Sequence, residues 1–275
     1  MRTAVTISLV PEARGGPFVY WDGVEDGMRR AREAGFDAVE IFPPGPDFMA
    51  PQRLGEMLRD HGLALAAVGT GAGWVKHRLQ LCDPDPWRRL QARAFIRSVI
   101  DFAGTLGAPA IIGSMQGRWG DGVDRADATR HLLDALDELG DHAHRRHGNT
   151  LLYEPLNRYE TNLCNTLAAG VELIRSLEKG TVALLADLFH LQIEEADPAA
   201  ALTGAGPWIG HVHWADSNRR AAGLGHSDLG AAAAALRRTG YAGYLSAEVL
   251  PLPDSDTAAA ATLASVRRHW PRGTE

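Results

Sequence analysis

Short apolar, β-branched runs alternate with longer amphipathic stretches along all 275 residues of the chain. The run Val182-Ala183-Leu184-Leu185-Ala186 is apolar at every position, as expected of a strand buried on both faces of a parallel sheet. The longer stretches carry apolar residues at helical spacing. Such alternation is the mark of repeated βα units feeding a parallel sheet. Strands are expected over residues 3–10, 38–42, 63–69, 108–113, 150–155, 182–190, 209–216 and 244–250. Helices are expected between them, among others over residues 23–34, 87–106, 126–147, 166–178 and 228–239.

Glycines punctuate the units. Gly35, Gly107, Gly180 and Gly240 each stand just past a helical run, where a left-handed residue ends a helix at little steric cost. The punctuation repeats too regularly for two unrelated domains. About eight units are present, the number that closes a (β/α)8 TIM barrel, so one α/β domain over residues 1–275 is the expected fold.

Several apolar runs end in an ionisable residue. Glu154 follows Leu151-Leu152-Tyr153, Asp187 follows the run at 182–186, His213 ends His211-Val212-His213, and Glu248 follows Leu245-Ser246-Ala247. A barrel gathers the C-terminal ends of its strands onto one face, so these four side chains are expected around one cavity. Three carboxylates and an imidazole facing each other would raise carboxylate pKa values and destabilise the fold; one divalent ion removes both problems. The mixed oxygen and nitrogen set favours Mn2+, Co2+ or Mg2+ over a thiolate zinc site. Glu154 and Glu248 also stand on opposite sides of the expected cavity. That arrangement suits removal of a proton from one face of a carbon and delivery to the other.

The surrounding segments each have a plainer reading beside the chemical one. Glu154-Pro155-Leu156-Asn157-Arg158-Tyr159-Glu160 reads as a functional loop at a strand end or as a salt-bridged turn. His190 reads as a ligand-facing imidazole or a hydrogen-bonded core residue. His211 and His213 share one strand face; His213 is assigned to the ion and His211 to a deeper position that orients it, and the two roles can be exchanged. Ser217-Asn218-Arg219-Arg220 leads into Gly223-Leu224-Gly225-His226, a cationic loop suited to gripping hydroxyls and carboxylates, or simply solvated. Trp74, Arg118 with Trp119, and Trp214 lie near strand ends: the tryptophans as pocket wall, Arg118 as a grip for an anionic substrate end. Lys76, in the loop after the third strand, is a surface residue.

Composition narrows the partners. Charged residues make up 23% and the net charge is -6, with no basic face for a phosphate backbone, so a nucleic-acid partner is not expected. Cys82 and Cys164 are too few for a disulfide framework, and no run approaches a membrane span, which together suit a cytoplasmic protein. A homo-dimer or homo-tetramer is the expected assembly.

With these residues placed, the chain resembles the sugar phosphate isomerase/epimerase superfamily of xylose isomerase-like TIM barrels, most closely its ketose and keto-acid 3-epimerase branch. EPLNRYE at 154–160, ADLFH at 186–190, HVHWADSNRR at 211–220 and SAEVLPLP at 246–253 carry the resemblance, in order and spacing. It implies one Mn2+-like ion on Glu154, Asp187, His213 and Glu248, with Glu154 and Glu248 as the acid/base pair. It also places Glu160, His190 and Arg219 on substrate-gripping positions. The segments PLNRYETN and LLADLFHLQIEE resemble epimerases acting on keto-hexonates, for whose carboxylate Arg118 or Arg219 is available. Departures fall in the first half, at Pro43-Pro44-Gly45-Pro46 and Gly69-Thr70-Gly71-Ala72-Gly73-Trp74.

The expected reaction inverts the carbon beside a ketose carbonyl through a cis-enediolate, with no redox or nucleotide cofactor. Aldose–ketose isomerisation is the rival in the same pocket. Apurinic-site endonuclease chemistry needs further histidines, which Val68-Gly69-Thr70 and Ile112-Gly113-Ser114 do not supply. A sugar-binding barrel without turnover is the third reading.

Overall fold

All eight apolar runs become strands: β1 (Arg2–Ser8), β2 (Ala38–Phe42), β3 (Ala64–Gly69), β4 (Ala110–Ile112), β5 (Leu151–Tyr153), β6 (Val182–Asp187), β7 (Ile209–His213) and β8 (Tyr244–Ala247). The computed structural model describes residues 1–179 and 181–271. Each strand pairs in parallel with the next, and β8 returns to β1, so the sheet closes into a barrel. Ten helices lie among the described residues: α1 (Val24–Ala34), α2 (Pro51–His61), α3 (Ala72–His77), α4 (Pro86–Thr105), α5 (Arg125–His147), α6 (Leu167–Arg175), α7 (Leu188–Glu194), α8 (Pro198–Ala205), α9 (Leu229–Arg238) and α10 (Ser255–His269). None is long and apolar enough to cross a membrane.

β1, β4 and β5 end one or two residues earlier than their sequence pattern suggests, and β6, β7 and β8 each end three residues earlier. β6 stops at Asp187 because that side chain turns back to cap α7, its Oδ1 accepting from the Phe189 N–H at 2.8 Å. His190, expected on the strand, therefore rides the first turn of α7. β7 and β8 stop at His213 and Ala247, and the residues beyond them are loop. In the same way the stretch after β3 is a short helix, α3, which carries Trp74 and the exposed Lys76.

Side-chain alternation sorts every strand into two faces. Val39 and Ile41 of β2, Leu184 and Ala186 of β6, and Val212 of β7 join the large apolar layer between sheet and helices. Their neighbours Glu40, Leu185, Asp187, His211 and His213 point inward. Ala67, Ile111, Leu152 and Leu185 form a separate interior cluster, and Ala4, Ala38 and Ala66 another. One layer above Leu152 and Leu185 the interior turns polar. The pairing of β2 with β3 skips Ala66 beside Glu40, and that of β6 with β7 skips Gly210 just before His211. Such irregularities re-aim the residue that follows.

The same alternation corrects one expectation. Trp214, next to the inward His213, faces outward; it is fully buried and its indole N–H donates to Ser265 Oγ of α10 at 3.1 Å. It is core, not pocket wall.

Between α4 and α5, both His142 Nε2 and His147 Nε2 bond Asp101 Oδ1, at 2.7 and 2.9 Å, clasping the two helices. On the other side of the barrel α1 approaches β1 closely at Gly27, where a Cβ would stand 2.7, 2.8 and 3.1 Å from three atoms of the buried Ile7. Alanine gains about 1 kcal/mol of helix propensity there but overpacks the interface by about 1–3 kcal/mol. Gly27→Ala is therefore expected to lower the urea midpoint of unfolding without changing its slope; a raised midpoint would contradict the packing.

Candidate active site

Glu154, Asp187, His213 and Glu248 come from the ends of β5 to β8 and converge on one point. His213 Nδ1 lies 3.6 Å from Glu154 Oε1, 3.5 Å from Asp187 Oδ2 and 3.5 Å from Glu248 Oε2. Local structure aims each group. The Glu154 N–H bonds Ile112 O at 3.0 Å, carrying the β4–β5 pairing one residue past the strand, and Pro155 then ends it. Gly113 leaves room for the carboxylate, since a Cβ there would meet Glu154 Oε2 at 2.5 Å. Asp187 gives one oxygen to the cap of α7 and turns the other inward.

Glu154 Oε1, Asp187 Oδ2 and His213 Nδ1 are buried and lack any hydrogen-bond partner. Orphaned polar atoms are rare in folded proteins because burying one unpaired is costly. Three of them meeting at one point is the signature of a missing positive partner. Ligand bonds of about 2.0–2.2 Å put neighbouring ligand atoms about 3–3.5 Å apart, close to the separations found. The four residues thus fit one divalent cation.

The charges agree. Burial pushes the Glu154 carboxyl up, and Glu248 adds to it against the pull of His213 and His190. Burial also works against ionised Asp187, yet His190, His213 and Arg219 hold it down at about 2. His213 loses charge to burial but regains more from Glu248, Glu40, Asp187 and Glu154, so it sits well above the usual imidazole range.

Glu40 went unassigned in the sequence reading. From β2 it reaches across the barrel, Oε2 2.8 Å from His211 Nε2 and Oε1 3.1 Å from His213 Nε2. Burial opposes its charge, but the two imidazoles hold it well below the usual carboxylate range. His211 lies deep, as expected. No hydrogen bond links it to His213, however; the two rings meet through Glu40. The available signal was a carboxylate at the centre of Ala38-Val39-Glu40-Ile41-Phe42, a place where an unpaired charge is not tolerated.

Beyond the cluster the cavity of about 490 Å3 has two unlike walls. One is polar. His190 Nδ1 lies 2.7 Å from the Asn157 amide nitrogen, so its proton sits on Nε2, which points at the cluster 3.7 Å from both Glu154 and Asp187. Arg219 donates to Glu248 Oε2 at 3.1 Å and Glu160 Oε1 at 3.4 Å, its guanidinium stacked 4.7 Å over Phe189. The other wall is apolar: Phe18 stacked on Phe42 at 4.6 Å, with Trp74 and Val75. Gly69 and Gly71 let Phe42 lie against their backbone, where a Cβ would come within 2.8 and 2.7 Å of its ring. Arg118 stands exposed at the rim, donating to Tyr159 O at 3.4 Å. The exposed His226 stands apart from the cavity lining.

Residues 28–269 match the family model described as xylose isomerase-like TIM barrel. The chain belongs to that family. Among curated relatives of this xylose isomerase-like barrel, D-psicose 3-epimerase of Agrobacterium fabrum is 28% identical over 86% of this chain and 79% of the relative. L-ribulose 3-epimerase of Mesorhizobium japonicum is 31% identical over 82% of this chain and 75% of the relative. A crystal structure of D-psicose 3-epimerase with D-tagatose from Clostridium cellulolyticum H10 superposes with a TM-score of 0.81 at 21% identity, covering 98% of both chains.

In this xylose isomerase-like barrel Arg219 is held by a loop built around Asp216. The buried carboxylate accepts from the Ser217 and Ser227 N–H at 2.8 and 3.0 Å and from Gly223 at 2.7 Å, and a Cβ on Gly225 would stand 2.2 Å from its Oδ1. Burial pushes the Asp216 carboxyl up, but these N–H groups outweigh it and hold it below its ordinary value. A carboxyl depressed on folding stabilises above its unfolded value and loses that contribution as pH falls through its folded one. Asp216→Asn is expected to cost about 1–3 kcal/mol at pH 7. Urea melts at a series of pH values should show the gap from wild type closing below about pH 4. A gap that does not change with pH would assign the loss to packing instead.

Proposed function

We propose that this chain is a metal-dependent ketose or keto-hexonate 3-epimerase. What carries the reading is the pair Glu154 and Glu248, each beside the same cation-ready point and each lining the same cavity. The relatives named as ketose 3-epimerases support it. Glu154, Asp187, His213 and Glu248 would hold the ion, and the oxygen-rich set suits Mn2+, with Co2+ or Mg2+ as alternatives. When bound, the ion polarises the substrate carbonyl and favours charge on its oxygen.

The chain's own residues do the rest. One glutamate takes the proton from the carbon next to the carbonyl, leaving a cis-enediolate, and the other returns a proton to the opposite face, so that configuration inverts. Burial, with Glu248 nearby, raises the Glu154 carboxyl above its ordinary value. His190 Nε2–H and the Arg219 guanidinium donate to substrate oxygens, and Glu160 accepts from a hydroxyl. The aromatic wall excludes water from the carbon that loses its proton. Arg118 at the rim is the grip for a carboxylate, should the substrate be a sugar acid.

Incubation of metal-loaded protein with ketoses, keto-hexonates and aldoses in D2O tests this. Deuterium at C3 with inversion is expected, abolished by a chelator and restored by Mn2+. Aldose as the product would transfer the site to isomerisation. Turnover that survives exhaustive chelation would remove the ion from the chemistry. Glu248→Gln is expected to lower kcat by about 10²–10⁴, measured at saturating metal; wild-type turnover in that variant would defeat the two-base scheme.

A further inference from the structure

Glu40 takes no part in the reaction above, yet it is the carboxylate most completely committed to the two imidazoles of β7. An ionised carboxylate has only acceptors, so the contacts at 2.8 Å to His211 Nε2 and 3.1 Å to His213 Nε2 both require N–H on those nitrogens. The proton of His213 is thereby committed to Nε2. Its Nδ1 is left facing Glu154, Asp187 and Glu248. The two rings stand edge to face with centroids 5.6 Å apart.

We infer that Glu40 is a positioning residue that selects the ring nitrogen His213 offers to the cation, with His211 as the anchor that keeps Glu40 in place. The inference rests on the metal-centre reading of the strand-end cluster. Its physical basis is cost. A carboxylate buried among the interior residues of a barrel is expensive unless fully paired, and both oxygens of Glu40 are spent on those rings. The skipped residues, Ala66 opposite β2 and Gly210 on β7, fall beside Glu40 and His211, at the places where the strands turn this triad inward. Glutamine at position 40 keeps the shape but offers one acceptor and one donor. It can therefore match one Nε2–H, and its NH2 drives the other ring toward the Nδ1-protonated form, which cannot bind a cation at Nδ1.

The test uses metal-stripped full-length protein and competition between Mn2+ or Co2+ and a chelator. Glu40→Gln is expected to weaken metal affinity by about 10–100-fold, while kcat at saturating metal stays near wild type. His211→Gln, whose amide still donates to Glu40, is expected to keep affinity close to wild type. Nitrogen-15 histidine spectra of the Zn2+-loaded wild-type protein need no variant and should show His213 protonated at Nε2. His213 protonated at Nδ1, unchanged affinity in Glu40→Gln, or an equal loss in His211→Gln would each overturn the inference. Glu154→Gln serves as a control: if that variant binds metal as tightly as wild type, the metal-centre reading fails, whereas loss there with none in Glu40→Gln defeats only the role of Glu40.

Discussion

Three carboxylates and an imidazole share one buried cluster at the end of the barrel, and the mutual repulsion of the acids is the constraint around which the structure is arranged. Ordinary proteins avoid such a gathering or neutralise it with protons. Here the positive side is supplied in parts. Arg219 leans on Glu248 and Glu160 from above, His213 faces the acids from the side, and His190 turns an N–H toward them. Glu154 Oε1, Asp187 Oδ2, His190 Nε2 and His213 Nδ1 nevertheless remain without hydrogen-bond partners. That residue of unmet polarity is the strongest statement the molecule makes about its chemistry.

The pocket divides its labour along the chain. Strands β5 to β8 and their loops carry the charged groups, whereas β1 to β3 contribute the aromatic wall and Glu40. The cavity between them thus has fixed donors and acceptors on one side and an apolar surface on the other. The glycine-rich stretch from the end of β3, one of the two departures from the family pattern, has a steric explanation. Gly69 and Gly71 accommodate the Phe42 ring, and Gly73 accommodates Met115.

The barrel and its cation-ready quartet were legible in the sequence for one reason. Apolar parallel strands read as continuous hydrophobic runs, so an acid or imidazole at the end of one stands out. Long-range pairing is what the pattern hides. Glu40 and His211 are 171 positions apart, and nothing local links them. The end of β6 was hidden for a different reason, because Asp187 reads equally as the last strand residue and as a helix cap, and it is both. Trp214 was readable in principle: once His213 points inward, period-two alternation turns its neighbour outward.

That double duty of Asp187 has a consequence for how the protein can change. One carboxylate oxygen starts α7 and so sets the height of His190, while the other joins the cation-ready cluster. Neither task can drift without disturbing its twin, which ties this corner to a single design. The aromatic wall carries no such bond between architecture and chemistry, so divergence toward new sugars has its freest ground there.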